Sequence, residues 1–476
     1  MTVSAFLLTA GLVADATGGR LLTGDAARVF DRVTTDSRTM PPALTSPRAP
    51  GPLFIALQGP TFDGHDFVTQ VIANGAAGVL VSTLPAVSGE AAVILVDDTL
   101  EALQRLGHSV RVRSGAQVVA ITGSAGKTTT KEATGTFLAT KYRVFKNEGN
   151  LNNHIGLPLS LLELRHGPEI AVVELGMNHA GEIRTLVQLA APDVRVWTNV
   201  GNAHIGHFGT ADAIADAKAE ILETATPATR VVANADDALV MRHVRRFRGR
   251  TLTFGINPIA ARADVEARRI EDRGFDGTVA EVTTPWGPMT LRVTLPGRAN
   301  LLNVLAAATV ALDCGVSIAE IEREAARLQP VDRRGASQRL AGGARLLDDS
   351  YNASPAAVTA AVQALMATPC EGRRIVVLGE MLELGDDARA WHEATGRAAA
   401  DAGVDVLVAV GGAAADGLID GARTGGLSAD QLHRFSTSPL AADAVAAMVR
   451  AGDLVLVKGS RGTRTDIIAA RLREVA

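Results

Sequence analysis

Short apolar runs, separated by longer segments of mixed polarity, recur along most of this chain. Residues 53–57, 78–81 and 92–96 are such runs, and a helix-like stretch at 66–74 lies between the first two. That alternation predicts an α/β arrangement, because runs of four to six apolar residues suit strands buried on both faces. A second series follows at 118–121, 170–174, 194–198 and 230–233, with helices predicted to begin near Lys127, Ala180 and Thr210. This is the rhythm of a doubly wound sheet. Residues 265–295 change character. They alternate around the turn Pro285-Trp286-Gly287-Pro288 and predict antiparallel hairpins, and a leucine- and alanine-rich helix follows at 301–312. Beyond Pro330 a third α/β unit is predicted, with strands at 346–349, 375–378, 406–410 and 454–457. The alanine-rich stretches between those strands fit packed crossover helices. The expected domains are 1–112, 113–328 and 329–476, with the first passage at 110–114.

Composition narrows the class. A chain of 476 residues exceeds one ordinary core, and 47% hydrophobic with 21% charged residues fits a folded, soluble protein. A net charge of -4 argues against a general nucleic-acid binder. Two cysteines, Cys314 and Cys370, make neither a disulfide framework nor a thiolate metal cluster. The apolar start at 5–13 is short, lacks a preceding basic segment and meets Asp15 soon after. The expectation is no signal peptide, no membrane helix and a cytoplasmic protein.

The densest chemistry lies at Thr122-Gly123-Ser124-Ala125-Gly126-Lys127-Thr128-Thr129-Thr130, directly behind an apolar strand. Glycines let backbone N–H groups approach an anion, Lys127 adds positive charge, and the Thr128 hydroxyl suits a magnesium ion. The longer Walker pattern has a glycine where this chain has Ile121, so the match is to a shorter variant. The motif predicts a triphosphate site. The asparagine-rich loop 146–156, with Glu148 and His154, reads as a ligand loop, although any one asparagine suits a turn equally well. Glu174 ends a predicted strand, where a carboxylate can hold the magnesium of a nucleotide. His204, in the turn 199–209, fits either a second metal or a strand-end hydrogen bond, and His207 reads as structural. By composition Lys218 is an ordinary solvated helix lysine.

These clusters, with three further ones, resemble the Mur ligase family. The others are Thr35-Asp36-Ser37-Arg38 with 53–59 and Asp63-Gly64-His65-Asp66-Phe67, the run from Leu347 to Pro355 containing Asp349, Tyr351 and Asn352, and Lys458-Gly459-Ser460-Arg461-Gly462. The resemblance runs nearly end to end. It implies a central P-loop ATPase-like domain flanked by an α/β domain for a UDP-sugar and a Rossmann-like carboxyl-terminal domain. The implied reaction is bacterial and cytoplasmic: ATP activates a UDP-N-acetylmuramoyl-tripeptide as an acyl phosphate, which D-alanyl-D-alanine then attacks. A monomer is expected, with no nucleic acid and no integral membrane association.

The resemblance also distributes roles. Gly123, Ser124, Ala125, Gly126, Lys127, Thr128 and Thr129 would bind ATP, together with Asn300, Asn303, Arg334, Asp349, Tyr351 and Asn352. Lys127, Glu174, His204 and Lys218 would be catalytic, and Thr128, Glu174, His204 and Lys218 would surround magnesium. Lys218 matches the family's carbamylated lysine, which reverses the bland reading of that residue. Ser37, Arg38 and Gly59 would meet the UDP-sugar, and Lys458, Ser460 and Arg461 the second substrate. One departure stands out: Thr465-Asp466 occupies the place where many relatives have methionine and glutamate. A ligase of the same superfamily with another carrier, and a non-catalytic nucleotide-binding protein, remain as alternatives at this point.

Overall fold

The computed structural model describes residues 3–40, 49–85, 90–258 and 262–475. It contains three sheets, of six, nine and six strands. Residues 1–120 with 142–194 form one compact unit, and residues 121–141 with 195–476 form another.

In the amino-terminal unit, the first sheet runs in the order Leu8–Thr9, Val29–Thr34, Gly51–Ile55, Gly78–Val81, Ala92–Leu95, Arg20–Thr23. Its inner strands are parallel and its two outer ones antiparallel. The inner strands Gly51–Ile55 and Gly78–Val81 are buried along their whole length, which is why they read as continuous apolar runs. The flanking Arg20–Thr23 is half-exposed and carries no such signal. Helix Thr99–Ser114 opens on Asp98, whose carboxylate accepts from Glu101 N at 2.8 Å, and closes on Gly115 at φ +67°. Residues 110–114, read from sequence as a passage between domains, are the last turn of this helix. Buried Arg111 there donates to the carbonyls of Ala190 (2.7 Å), Ala116 (2.9 Å) and Ala191 (2.9 Å) and pairs with Asp193. A guanidinium bonded on four sides marks an anchored helix end.

The second unit holds the predicted hairpins, Val265–Asp272, Thr278–Thr284 and Gly287–Val293, all antiparallel. Helix Gly297–Asp313, buried along most of its length, packs against helix Lys127–Leu138. The carboxyl-terminal sheet runs Ala336–Arg339, Arg345–Asp349, Leu454–Lys458, Arg374–Gly379, Val406–Val410, Leu432–Phe435. All its neighbours are parallel except the first pair. In register, Asp349 lies opposite Lys458, and Lys458 opposite Leu378. The carboxyl ends of three strands therefore meet at one edge, where parallel sheets place their ligands. Among the described residues no helix is long and apolar enough to cross a membrane.

A histidine lies in the core of the third domain. His392 is fully buried, its Nε2 accepts from Met381 N at 2.9 Å, and its Nδ1 donates to Ala388 O at 2.6 Å. Only a neutral ring satisfies both contacts, and burial pushes its pKa below the ordinary 6.5. The folded value lies below the unfolded one, so the associated stability is present above pH 6.5 and lost as the pH falls through that value. Thermal melts between pH 7 and about 5 are expected to show this decline. His392→Ala is expected to flatten that dependence and cost about 1–3 kcal/mol, since Met381 N loses its acceptor.

Candidate active site

The strand Gln117–Thr122 delivers the chain into a turn that needs its glycines. Gly123 has φ +152°, and a Cβ there would lie 1.9 Å from Thr198 Oγ1. Gly126 has φ +80°, and a Cβ there would lie 2.0 Å from Asn303 Oδ1. The turn is bolted to residues 198–201 on its other side. Ser124 N donates to Asn199 O (3.1 Å), Ala125 N to Asn199 Oδ1 (2.9 Å) and Gly201 N to Ser124 Oγ (2.9 Å). Thr198 Oγ1 and Asn199 Nδ2 both donate to Ala125 O, at 2.8 and 3.1 Å. Lys127 and Thr128 then open the helix Lys127–Leu138, where backbone N–H groups and the helix dipole favour an anion. The Lys127 ammonium folds back onto Gly123 O at 2.7 Å, and Thr129 follows in the first turn. Asn303 is wedged against Gly126, donates to Asn300 Oδ1 at 3.2 Å and accepts from Thr130 Oγ1 at 3.5 Å. Asn300 donates to Pro296 O at 2.8 Å, so the two predicted asparagines form one chain behind the turn.

Lys218 is the largest departure from expectation by composition. It lies on helix Ala211–Ala219 and is 1% exposed, a buried lysine and not a solvated one. Burial first, and the positive charge of Lys127 second, push its amine well below the ordinary range. The helix that carries it is fixed from outside by Arg242 on Asp212 (2.6 Å) and His243 near Asp216 (3.3 Å).

His204 sits at φ +65°, with Nδ1 2.6 Å from Glu383 Oε2. The close approach of the His204 ring holds the Glu383 carboxyl below the usual range. The ring stands against a carboxylate that no sequence signal marked. Glu174, in the amino-terminal unit, is buried at the end of Ile170–Glu174. Its Oε1 accepts from Asn152 Nδ2 at 2.8 Å and its N donates to Asn147 Oδ1 at 3.1 Å. The asparagine loop thus wraps this strand end.

At the carboxyl-terminal sheet edge, Lys458 is buried, donates to the Asp349 carboxylate, and donates to Asn352 O at 3.1 Å. Burial raises the Asp349 pKa, against the lowering effects of Lys458 and Arg334. The Arg334 guanidinium lies 4.0 Å over the Tyr351 ring. Ser460 Oγ accepts from Leu382 N at 3.0 Å, and exposed Arg461 opens the next turn. Of the seven sequence-named residues of this domain, Arg334, Asp349, Tyr351, Asn352 and Lys458 are linked to one another, while Ser460 bonds to Leu382 N and Arg461 stands apart. In the amino-terminal unit, Arg38 follows Ser37 in the turn Ser37–Thr39 and grips Asp36 at 2.8 Å through both Nε and a terminal nitrogen. That grip holds the Asp36 carboxyl at a pKa of about 2. Gly59 N donates to Phe62 O at 2.9 Å, and a Cβ at Gly59 would meet the Phe62 ring at 2.4 Å.

Residues 121–311 match the Mur ligase middle domain, and residues 327–461 match the Mur ligase, glutamate ligase domain. UDP-N-acetylmuramoyl-tripeptide–D-alanyl-D-alanine ligase of Escherichia coli is 36% identical over 481 residues, covering 98% of each chain. The chain belongs to the Mur ligase family. Among solved Mur ligases, a crystal structure of MurF from Acinetobacter baumannii superposes with a TM-score of 0.87 at 32% identity, covering 99% of both chains. MurF ligase from Thermotoga maritima in complex with ADP gives 0.79 at 29% identity, over 93% of this chain and 97% of that one. The Mur ligase fold is three α/β domains with the ATP-binding domain in the centre, as the sequence pattern predicted. ATP and magnesium use is typical of such ligases.

Proposed function

We infer that this chain is the ATP-dependent ligase that joins D-alanyl-D-alanine to UDP-N-acetylmuramoyl-tripeptide, yielding the pentapeptide, ADP and phosphate. The carrying observation is the end-to-end likeness to the E. coli ligase, at 36% identity over 98% of both chains. A carboxylate is a poor electrophile. Its oxygen therefore attacks the γ-phosphorus of ATP, ADP departs, and the acyl phosphate forms. The dipeptide amine, after losing a proton, attacks the acyl carbon, and phosphate leaves as the C–N bond is completed. The enzyme's task is to place these groups and to balance charge as the phosphoryl group moves.

Each part of the site suits one share of that task. The turn from Gly123 to Gly126 and the helix opening at Lys127, Thr128 and Thr129 frame the triphosphate; the Ser124 and Ala125 N–H groups, held by Asn199, set the shape of that turn, and Lys127 swings from Gly123 O to the phosphates. Arg334 on Tyr351 offers a flat cationic face for the adenine. Asp349 and Asn352 hold Lys458, which with Ser460 and Arg461 meets the carboxylate or incoming dipeptide. Asn300 and Asn303 keep the turn at Gly126 in shape.

Among the described residues no three of His, Cys, Asp and Glu gather into a metal cage. The Thr128 hydroxyl and a carbamate on Lys218, both in the second unit, would nevertheless offer oxygen donors of the kind magnesium takes. The buried, neutral-leaning Lys218 amine is the state that reacts with carbon dioxide, so the residues fit the group. Bound magnesium would neutralise phosphate charge as ADP departs.

The chain is proposed to act as a monomer in the bacterial cytoplasm. Purified protein offered ATP, D-alanyl-D-alanine and either the diaminopimelate- or lysine-containing UDP-muramoyl-tripeptide should release phosphate and add one dipeptide mass to the accepted one. No product with either acceptor would sink the assignment. The Ser37, Arg38 and Gly59 region is proposed to hold the UDP diphosphate. Arg38→Ala should raise the KM for the UDP substrate about tenfold, as expected when one charged contact is lost, while the KM for ATP stays within twofold. A larger shift for ATP than for the UDP substrate would rule this out.

A further inference from the structure

Residues 380–385, just beyond the strand Arg374–Gly379, are held at nearly every position. Glu380 N donates to Val410 O at 2.8 Å, and Glu380 O accepts from Ser460 N (3.3 Å) and Thr463 Oγ1 (3.1 Å). Met381 N is fixed by His392 and Leu382 N by Ser460 Oγ. The segment is thus built onto the turn that carries Lys458 and Ser460. Its far end meets the loop carrying His204. Glu383 Oε2 is 2.6 Å from His204 Nδ1, and Glu383 O accepts from Gly206 N at 3.1 Å. Glycine is required at 206, since a Cβ would lie 2.4 Å from Gly385 N. Ile205, between these contacts, packs against the core of the third domain.

His204 and Glu383 both adopt φ +65°, a conformation that side-chain-bearing residues avoid unless their surroundings fix it. Two such residues bonded to each other mark a built contact. The His204 loop is itself tied to the phosphate turn through Asn199 and Gly201. A connected path therefore runs from the phosphate turn, through His204 and Glu383, to Ser460.

We propose that Glu383 is a positioning residue for His204: the third domain supplies a carboxylate that keeps the ring's proton on Nδ1 and presents Nε2 to the site. A carboxylate oxygen 2.6 Å from Nδ1 would repel a ring lone pair at that distance and favours a proton there, so the neutral ring carries its proton on Nδ1 and its lone pair on Nε2. The backbone clasp at Gly206 and Gly385 then sets where that ring stands relative to Lys458 and Ser460. The inference rests on the reading of His204 as a member of the active site.

The test uses the full chain with ¹⁵N-labelled imidazoles, without nucleotide, at about pH 8, where an ordinary histidine is neutral. The His204 signals are assigned by their loss in His204→Asn. The wild type should show the Nδ1–H tautomer, and Glu383→Ala should shift His204 to the Nε2–H form that free imidazole prefers. Glu383→Gln keeps an acceptor oxygen and should keep the wild-type tautomer. Glu383→Asp keeps the charge but withdraws the carboxylate by one methylene, so it should behave like the alanine variant even if that one folds poorly. In turnover, Glu383→Ala and Glu383→Asp should lower kcat about 10–100-fold with the KM for the UDP substrate unchanged, and Glu383→Gln should recover most of it. An unchanged His204 spectrum in Glu383→Asp, or a kcat within twofold of wild type, overturns the proposal. Wild-type turnover in His204→Asn instead overturns the site reading on which it rests.

Discussion

Lys218→Ala is expected to lower turnover about 10²–10³-fold while the folded protein survives. The reason is a charge inversion. An ammonium at a 1% exposed position beside Lys127 is opposed both by burial and by like charge. The neutral amine can attack carbon dioxide; a C–N bond forms, one proton leaves, and the nitrogen then carries a carboxylate. The product offers negative charge next to Lys127, where the amine offered at best none. Lys218→Arg should be as inactive as alanine, because guanidinium cannot lose its charge. A short carboxylic acid in the buffer should restore part of the activity of Lys218→Ala by supplying the missing oxygens. Degassed, bicarbonate-free buffer should slow the wild type, and carbon-13 bicarbonate should give a carbamate signal that is absent from the variant.

The same residue predicts a stability effect of opposite sign. The folded pKa lies below the unfolded one near 10.5, so the unfolded chain binds the proton more tightly. Folding stability attributable to the amine is therefore lowest below the folded pKa and recovers as pH rises toward 10.5. Lys218→Met, compared with wild type at neutral pH in bicarbonate-free buffer, should melt higher while remaining inactive. A lower melting temperature together with full turnover would leave Lys218 as a packing residue.

Much of this arrangement was legible in the sequence where a strand is buried on both faces. Ile170–Glu174 and Val406–Val410 were predicted with their observed limits, and the helix starting at Lys127 is read directly from the glycine turn. Edge strands escaped. Ala336–Arg339 and Leu432–Phe435 are half-exposed, with polar residues between their few apolar ones, so they lack an apolar run. The end of helix Thr99–Ser114 was misread because Arg111 and Arg113 make it look solvated, whereas Arg111 is buried against backbone carbonyls. Local composition likewise places Lys218 in solvent. Its burial comes from what packs on the helix, which no window of neighbouring residues contains. Glu383 left no trace in the sequence, because its meaning depends on a histidine far back in the chain that only the fold brings within 2.6 Å.

Gly126→Ala is expected to remove nucleotide binding almost completely, and the structure separates two reasons for this. The first is conformational: Gly126 sits at φ +80°, where an L-residue is strained by about 1 kcal/mol or more. The second is steric: the added Cβ would stand 2.0 Å from Asn303 Oδ1, 2.8 Å from Cγ and 3.0 Å from Nδ2. Asn303 has little room to withdraw, since it is nearly buried and holds Asn300 and Thr130. The turn must yield instead, and with it the N–H groups that open the helix at Lys127. Calorimetric titration with ADP and magnesium should show affinity reduced at least about 100-fold, equivalent to roughly 2.7 kcal/mol. Gly426→Ala is the control: it also has a positive φ, +103°, but nothing stands within 4 Å of its missing Cβ. It should bind ADP within a few-fold of wild type. In Gly126→Ala/Asn303→Ala the steric part is relieved and the backbone part kept, so affinity should return only in part. Full recovery in the double variant would assign the whole effect to Asn303, and wild-type affinity in Gly126→Ala alone would remove the turn from the nucleotide site.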